Sequence, residues 1–110
     1  TDIDVVQSYE NFTGGGVMSL IEHGLCTYEN ADEILTFDNL RADGGKLPLN
    51  TSGGNLAECY MHGLGLQIEA VRQVRGETCN QVPDVKVALA NAGPMVAVAS
   101  TALYGTEETA

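Results

Sequence analysis

The chain has 110 residues, with 15 Asp/Glu against 5 Lys/Arg and a formal charge of -10, which fits one compact domain and argues against a nucleic-acid partner. With no Trp and 2 Phe, the core falls to Val, Leu, Ile and Ala. The negative field repels anionic membrane surfaces, and no stretch approaches the ~20 consecutive apolar residues of a membrane span.

In chain order, Thr1 to Asp4 have neither the basic nor the apolar part of a signal peptide. A start on Thr1 rather than methionine reads as a piece of something longer. Ile3 to Ser8 is short, β-branched and bounded by polar residues, which predicts a strand ending near Tyr9. A helix follows, with Thr13 as N-cap, Gly14-Gly15-Gly16 as a weak first turn, and Val17, Leu20, Ile21 and Leu25 at helical spacing. Ala31 to Thr36 reads as a short second helix. The segment from Phe37 to Gly54, rich in Gly, Asn, Asp and Pro, reads as a long loop with a functional role.

Ala57, Tyr60, Met61, Leu64, Ile68 and Val71 form an apolar stripe that predicts one long helix to about Gly76, with Glu58, His62, Glu69, Arg72, Gln73 and Arg75 on its other faces. Two strands close the chain, Val85 to Asn91 and about Val96 to Tyr104, turning at Ala92-Gly93-Pro94. Gly105 to Ala110 reads as a frayed acidic tail. The division is thus a domain over 1–105 and a tail over 106–110. Strand, helix, loop, helix, strand, strand implies a layered α/β arrangement, in which ligands bind at the carboxyl ends of strands. Tyr9, Asn91 and the start of the long helix converge there.

The motifs are modest when taken singly. Asn50-Thr51-Ser52-Gly53-Gly54 ahead of the long helix offers N–H groups to an oxyanion or carbonyl, or is only turn chemistry. Gly14 to Gly16 match no nucleotide fingerprint, and Glu58 with His62 lacks the second histidine of H-E-x-x-H, so no metal is expected. Cys26, Cys59 and Cys79 are odd in number, with no C-x-x-C pair, which fits a reducing cytoplasm. Cys59, in the first turns of the long helix, is either a thiol activated by the dipole or a small buried side chain. Tyr60 on the apolar stripe and Tyr9 at a strand end are each compatible with an ordinary core tyrosine, and His23 and His62 sit on different helices. His62, within a turn of Tyr60, is the better functional candidate.

Taken in order, Asn50 to Gly54, Cys59-Tyr60-Met61-His62-Gly63 and the closing VALANAGPMVAVASTALYG resemble the C-terminal part of the thiolase superfamily, most of all its sterol carrier protein X and lipid-transfer branch. In thiolases an N-x-S-G-G loop runs into a G-H-P-x-G turn. The histidine of that turn corresponds to Tyr60. The strand-end motif, N-E-A-F or H-D-C-F in the family, corresponds to Tyr9-Glu10-Asn11-Phe12, so Tyr9 replaces its leading Asn or His. The late C-x-G cysteine has no counterpart, and Asn91-Ala92-Gly93 stands about there instead.

The resemblance covers essentially the whole chain but only about the last quarter of a thiolase. It implies a layered thiolase-like α/β fold and a CoA thioester as substrate, with no covalently bound cofactor. It implies Tyr9, Tyr60 and His62 as catalytic residues, and Asn50, Ser52, Gly53, Gly54, Asn91 and Gly93 as substrate-binding ones. With tyrosine at two catalytic positions, thiolysis through an acyl-enzyme gives way to the retro-aldol chemistry of the aldolases of steroid side-chain degradation. The family also implies a homodimer and an OB-fold, zinc-ribbon partner. Gly14 to Gly16 would leave room for a bulky polycyclic acyl group or a neighbouring subunit. The rival readings are a non-catalytic lipid-transfer platform for that partner and an acetyl-CoA acyltransferase with displaced catalytic residues. The piece alone is expected to catalyse nothing.

Overall fold

The computed structural model describes residues 2–93 and 98–109. Strand β1 (Val5–Ser8) is followed by helix α1 (Thr13–Glu22) and the single turns α2 (Ala31–Ile34), α3 (Phe37–Leu40) and α4 (Gly54–Ala57). Helix α5 (Leu64–Arg75) then leads to β2 (Val87–Ala92) and β3 (Ser100–Gly105). The sheet runs in the order β1-β2-β3, with β1 parallel to β2 and β2 antiparallel to β3. In the parallel pair Val5 faces Ala88, Val6 faces Leu89, Gln7 faces Ala90 and Ser8 faces Asn91.

Alternation along β1 divides the core between the two faces of the sheet. Val5, Ala88 and Ala90 pack with Ala70 of α5, Val82 and Val85. On the other face Val6 and Leu89 pack with Leu20 of α1, Cys26 and Leu47. Alanines at 70, 88 and 90 let α5 lie close on its face, whereas the α1 face is filled by larger leucines. Burial pushes the Cys26 thiol up from its ordinary pKa, as befits a core residue without reactivity.

Several expectations are corrected. The single long helix does not form. Residues 54–57 make one isolated turn, an irregular stretch follows, and α5 begins only at Leu64. His62 and Gly63 both adopt positive φ, +50° and +89°, which no α-helix can contain. Downstream, α5 ends where predicted, at Gly76 in the left-handed conformation, with the Glu77 N–H on the Arg72 carbonyl. The segment 37–54 is less open than its composition implies: α3 lies within it, Leu49 bridges Val6, and the Val6 N–H donates to the Pro48 carbonyl. The acidic tail is not frayed over its described part. Thr106 N–H donates to Lys86 O, Glu107–Thr109 form a 3-10 turn, and Glu108 pairs with Lys86 at 3.0 Å. The final strand begins at Ser100, and the turn expected at Pro94 lies outside the described residues.

Candidate active site

The site forms at the carboxyl end of β1 and β2. The backbone N–H of Tyr9, one residue past β1, is shared between Asn91 O at 3.2 Å and Asn91 Oδ1 at 3.1 Å. That double anchor aims the Tyr9 side chain along the α5 face. Gly63 closes in from the other side. A Cβ at that position would stand 2.8 Å from Tyr9 Cδ2 and 3.7 Å from the Ala92 methyl, so the α5 entry reaches the tyrosine ring only because residue 63 has no side chain.

Tyr60 comes from the irregular stretch between α4 and α5, and its hydroxyl meets that of Tyr9 at 2.5 Å. The rings cross edge to face at 6.1 Å, and the His62 ring lies edge-on to Tyr60 at 5.6 Å. Tyr60 is 51% exposed, so it is a surface tyrosine and not a core one. The hydrogen bond with Tyr60 raises the Tyr9 pKa above that of an ordinary phenol, with smaller contributions from burial and from the negative charge of Glu10.

Around this pair the N-T-S-G-G turn is held from two sides. Asn50, at φ +49°, returns two bonds to β1: its Oδ1 accepts the Ser8 N–H at 2.7 Å, and its Nδ2 donates to Ser8 O at 2.9 Å. Beneath the turn, the Thr51 hydroxyl donates to buried Glu69 at 2.7 Å and accepts from Gln7 and Gln73. Above it, Glu10 Oε1 accepts the Asn55 N–H at 2.5 Å. Gly53 is exposed, while the Ser52 hydroxyl is buried without a hydrogen-bond partner among the described residues. Gly54, at φ +67°, backs onto the Glu10 carboxylate.

The structure thus brings together Tyr9, Tyr60 and His62, with Asn50, Gly54 and Asn91 supporting them. Asn91 is buried, and among the described residues its side-chain amide nitrogen has no hydrogen-bond partner. Gly93 follows β2 at φ +82°. His23 lies apart, bridging Ser19 O and the Thr101 hydroxyl. Cys59 stands exposed in the irregular stretch, so no helix dipole acts on it as the predicted helix would have required. Glu10, Asn55 and Glu69 escaped the sequence reading. Glu10 adjoins Tyr9 in the motif that singles out that tyrosine, a signal available but unused. Nothing in the sequence marks Glu69 as buried.

Comparison with known proteins defines the class. The chain matches the thiolase C-terminal domain-like family over residues 1–106 and belongs to it. A steroid side-chain-cleaving aldolase of Thermomonospora curvata is 42% identical over 93 residues. A 17-hydroxy-3-oxo-4-pregnene-20-carboxyl-CoA lyase of Mycobacterium tuberculosis is 38% identical over 92 residues. In each case 84% of this chain is covered, and the chain spans 24% of the relative's length. Among solved structures, an Ltp2-ChsH2(DUF35) aldolase superposes with a TM-score of 0.87 at 38% identity, over 99% of this chain and 28% of that one. No helix among the described residues is long and apolar enough to cross a membrane.

Proposed function

We propose that this chain is the C-terminal domain of a thiolase-like aldolase, a lyase that cleaves a β-hydroxyacyl-CoA with a steroid or similarly bulky acyl group into a ketone and a shorter acyl-CoA. The observation that carries this reading is the direct contact of the Tyr9 and Tyr60 hydroxyls at 2.5 Å at the strand ends. The names of the relatives, steroid side-chain aldolase and steroid-CoA lyase, support it.

In the reaction, a base takes the β-hydroxyl proton, the Cα–Cβ bond breaks as the ketone forms, and its electron pair passes into the thioester enolate. An acid then returns a proton to the enolate carbon. Tyr9 and Tyr60 supply these two proton transfers, with His62 packed against Tyr60. The hydrogen bond between the two hydroxyls, which also raises the Tyr9 pKa, links the groups that carry the two transfers. No acyl-enzyme forms, and the CoA thioester is substrate rather than resident cofactor. Asn50, Ser52, Gly53, Gly54, Asn91 and Gly93 shape the thioester side of the site, the first and fifth chiefly by fixing β1 and Tyr9.

The structural neighbour carries two names, Ltp2 and ChsH2(DUF35), which supports a partner protein; the reading takes that partner to be of the OB-fold, zinc-ribbon kind and the assembly to contain a homodimer. A reducing, cytoplasmic setting agrees with three free cysteines. In the full-length enzyme, Tyr9→Phe and Tyr60→Phe each lower ketone release from a β-hydroxyacyl-CoA by about 10²–10⁴-fold, with folding and acyl-CoA binding retained. Wild-type rates in both variants would sink the reading, and acyl transfer to free CoA would replace it with a thiolase.

A further inference from the structure

Glu10 lies between the supports of the two tyrosines. Its Oε1 accepts the Asn55 N–H at 2.5 Å, and its Oε2 lies 3.4 Å from the side-chain amides of both Asn50 and Asn55. One carboxylate thus gathers donors from the start of the N-T-S-G-G turn and from α4. The approach is close: at Gly54 a Cβ would stand 2.5 Å from Glu10 Oε1 and 2.9 Å from its carboxyl carbon. Among the described residues no cation pairs with Glu10, so amide donors alone hold it. Hydrogen bonds from N–H groups to an ionised carboxylate are about twice as strong as neutral ones.

The chain paths on either side of this clamp lead to the site. Glu10 follows Tyr9 directly. α4 leads through Glu58 and Cys59 to Tyr60, and this stretch has no regular structure of its own to fix it. The separation of the two hydroxyls therefore depends on how firmly α4 is tied to the end of β1, and Glu10 makes that tie without itself reaching the hydroxyl pair. We infer that Glu10 is a positioning residue, a clamp that holds Tyr60 in register with Tyr9. The inference rests on the aldolase reading for its catalytic consequence and on geometry alone for the clamp.

The test uses the full-length enzyme and a β-hydroxyacyl-CoA thioester of a steroid acid. Misplacing a catalytic group by about 1 Å can cost ~10²-fold, so Glu10→Ala should lower kcat by roughly 10–10²-fold. KM should change less than kcat, because Asn50 keeps its two bonds to Ser8 and so holds the thioester side of the site in place. Glu10→Gln keeps an oxygen facing the Asn55 N–H and restores most of the rate. In a Tyr60→Phe background Glu10→Ala adds little, since residues acting as one unit are not additive. Wild-type kcat in Glu10→Ala, or an undiminished further loss in the Tyr60→Phe background, would overturn the inference. Failure of the aldolase reading itself would show as wild-type turnover in the tyrosine variants. Even then, faster hydrogen exchange at the Asn55 amide in Glu10→Ala supports the clamp, and unchanged exchange removes it.

Discussion

The two faces of the sheet are held by different physics. Against α1, Val6, Leu20, Cys26, Leu47 and Leu89 close an apolar core, and buried Ser8 and Asn91 continue the same face towards the strand ends. Against α5, the apolar part made by Val5, Ala70, Ala88 and Ala90 gives way to a buried polar array. There Glu69, 3% exposed, accepts from Thr51, Gln73 and Thr78, while Asn80 donates to Thr51 O and Gln73 donates to Asn80 O. The hydrophobic effect is non-directional and sets how much surface is buried, not the angle at which a loop leaves. Hydrogen bonds are directional, and a buried one left unmade costs about 1–3 kcal/mol. The polar array lies under the N-T-S-G-G turn, on the face that carries Tyr9, so directional bonding is concentrated beneath the turn that borders the tyrosine pair.

The largest effect that would test this contrast is Leu20→Ala, which leaves a cavity on the α1 face and should cost about 2–5 kcal/mol in denaturant unfolding. A cost below ~1 kcal/mol would mean that this face can collapse and is not the volume-filled side. Next comes Glu69→Gln, which removes almost no volume but replaces an acceptor oxygen with a donor among hydroxyl and amide donors. A loss of about 1–3 kcal/mol is expected in the same measurement, and an unchanged midpoint would show the array to be mere filling. The smallest effect on the folded domain belongs to Tyr60→Phe, read in the titration of Tyr9 and not as stability. The hydrogen bond with Tyr60 is the main reason the Tyr9 pKa is raised. Its removal therefore lowers the Tyr9 pKa towards the ordinary phenol value, and tyrosinate absorbance appears at lower pH in an ultraviolet titration. A shift in the opposite direction would show that Tyr60 acts on Tyr9 in some other way.

Much of this was legible in the residues themselves. β1, α1, the end of α5 at Gly76 and the convergence of Tyr9 with Asn91 follow from β-branching, periodicity and turn chemistry acting locally. The break between α4 and α5 does not. The stripe from Ala57 through Tyr60 and Met61 to Leu64 keeps helical spacing across it, so periodicity alone argues for one helix. The break comes from left-handed backbone at His62, which a non-glycine residue seldom adopts without tertiary support. Glu69 and Gln73 were misplaced for a related reason. They sit on what looks like a solvent face of α5 and are buried by Thr51, Thr78 and Asn80, residues distant in sequence or beyond the helix end. The tyrosine pair was found by motif order, whereas its clamp needed the fold.

Gly63 also sets a limit on engineering the domain. Replacing a glycine at a helix start by alanine is a standard route to stabilisation, because it removes freedom from the unfolded chain where the native backbone suits both residues. Here φ is +89° and the new methyl would collide with the Tyr9 ring, so relief would require rotating the tyrosine or drawing residues 60–63 into α5. Extending the helix backwards would carry Tyr60 around its axis and away from its partner. A more regular α5 and an intact tyrosine pair are alternative outcomes for the same six residues from Glu58 to Gly63, and selection for thermal robustness alone would drift towards the one without the pair.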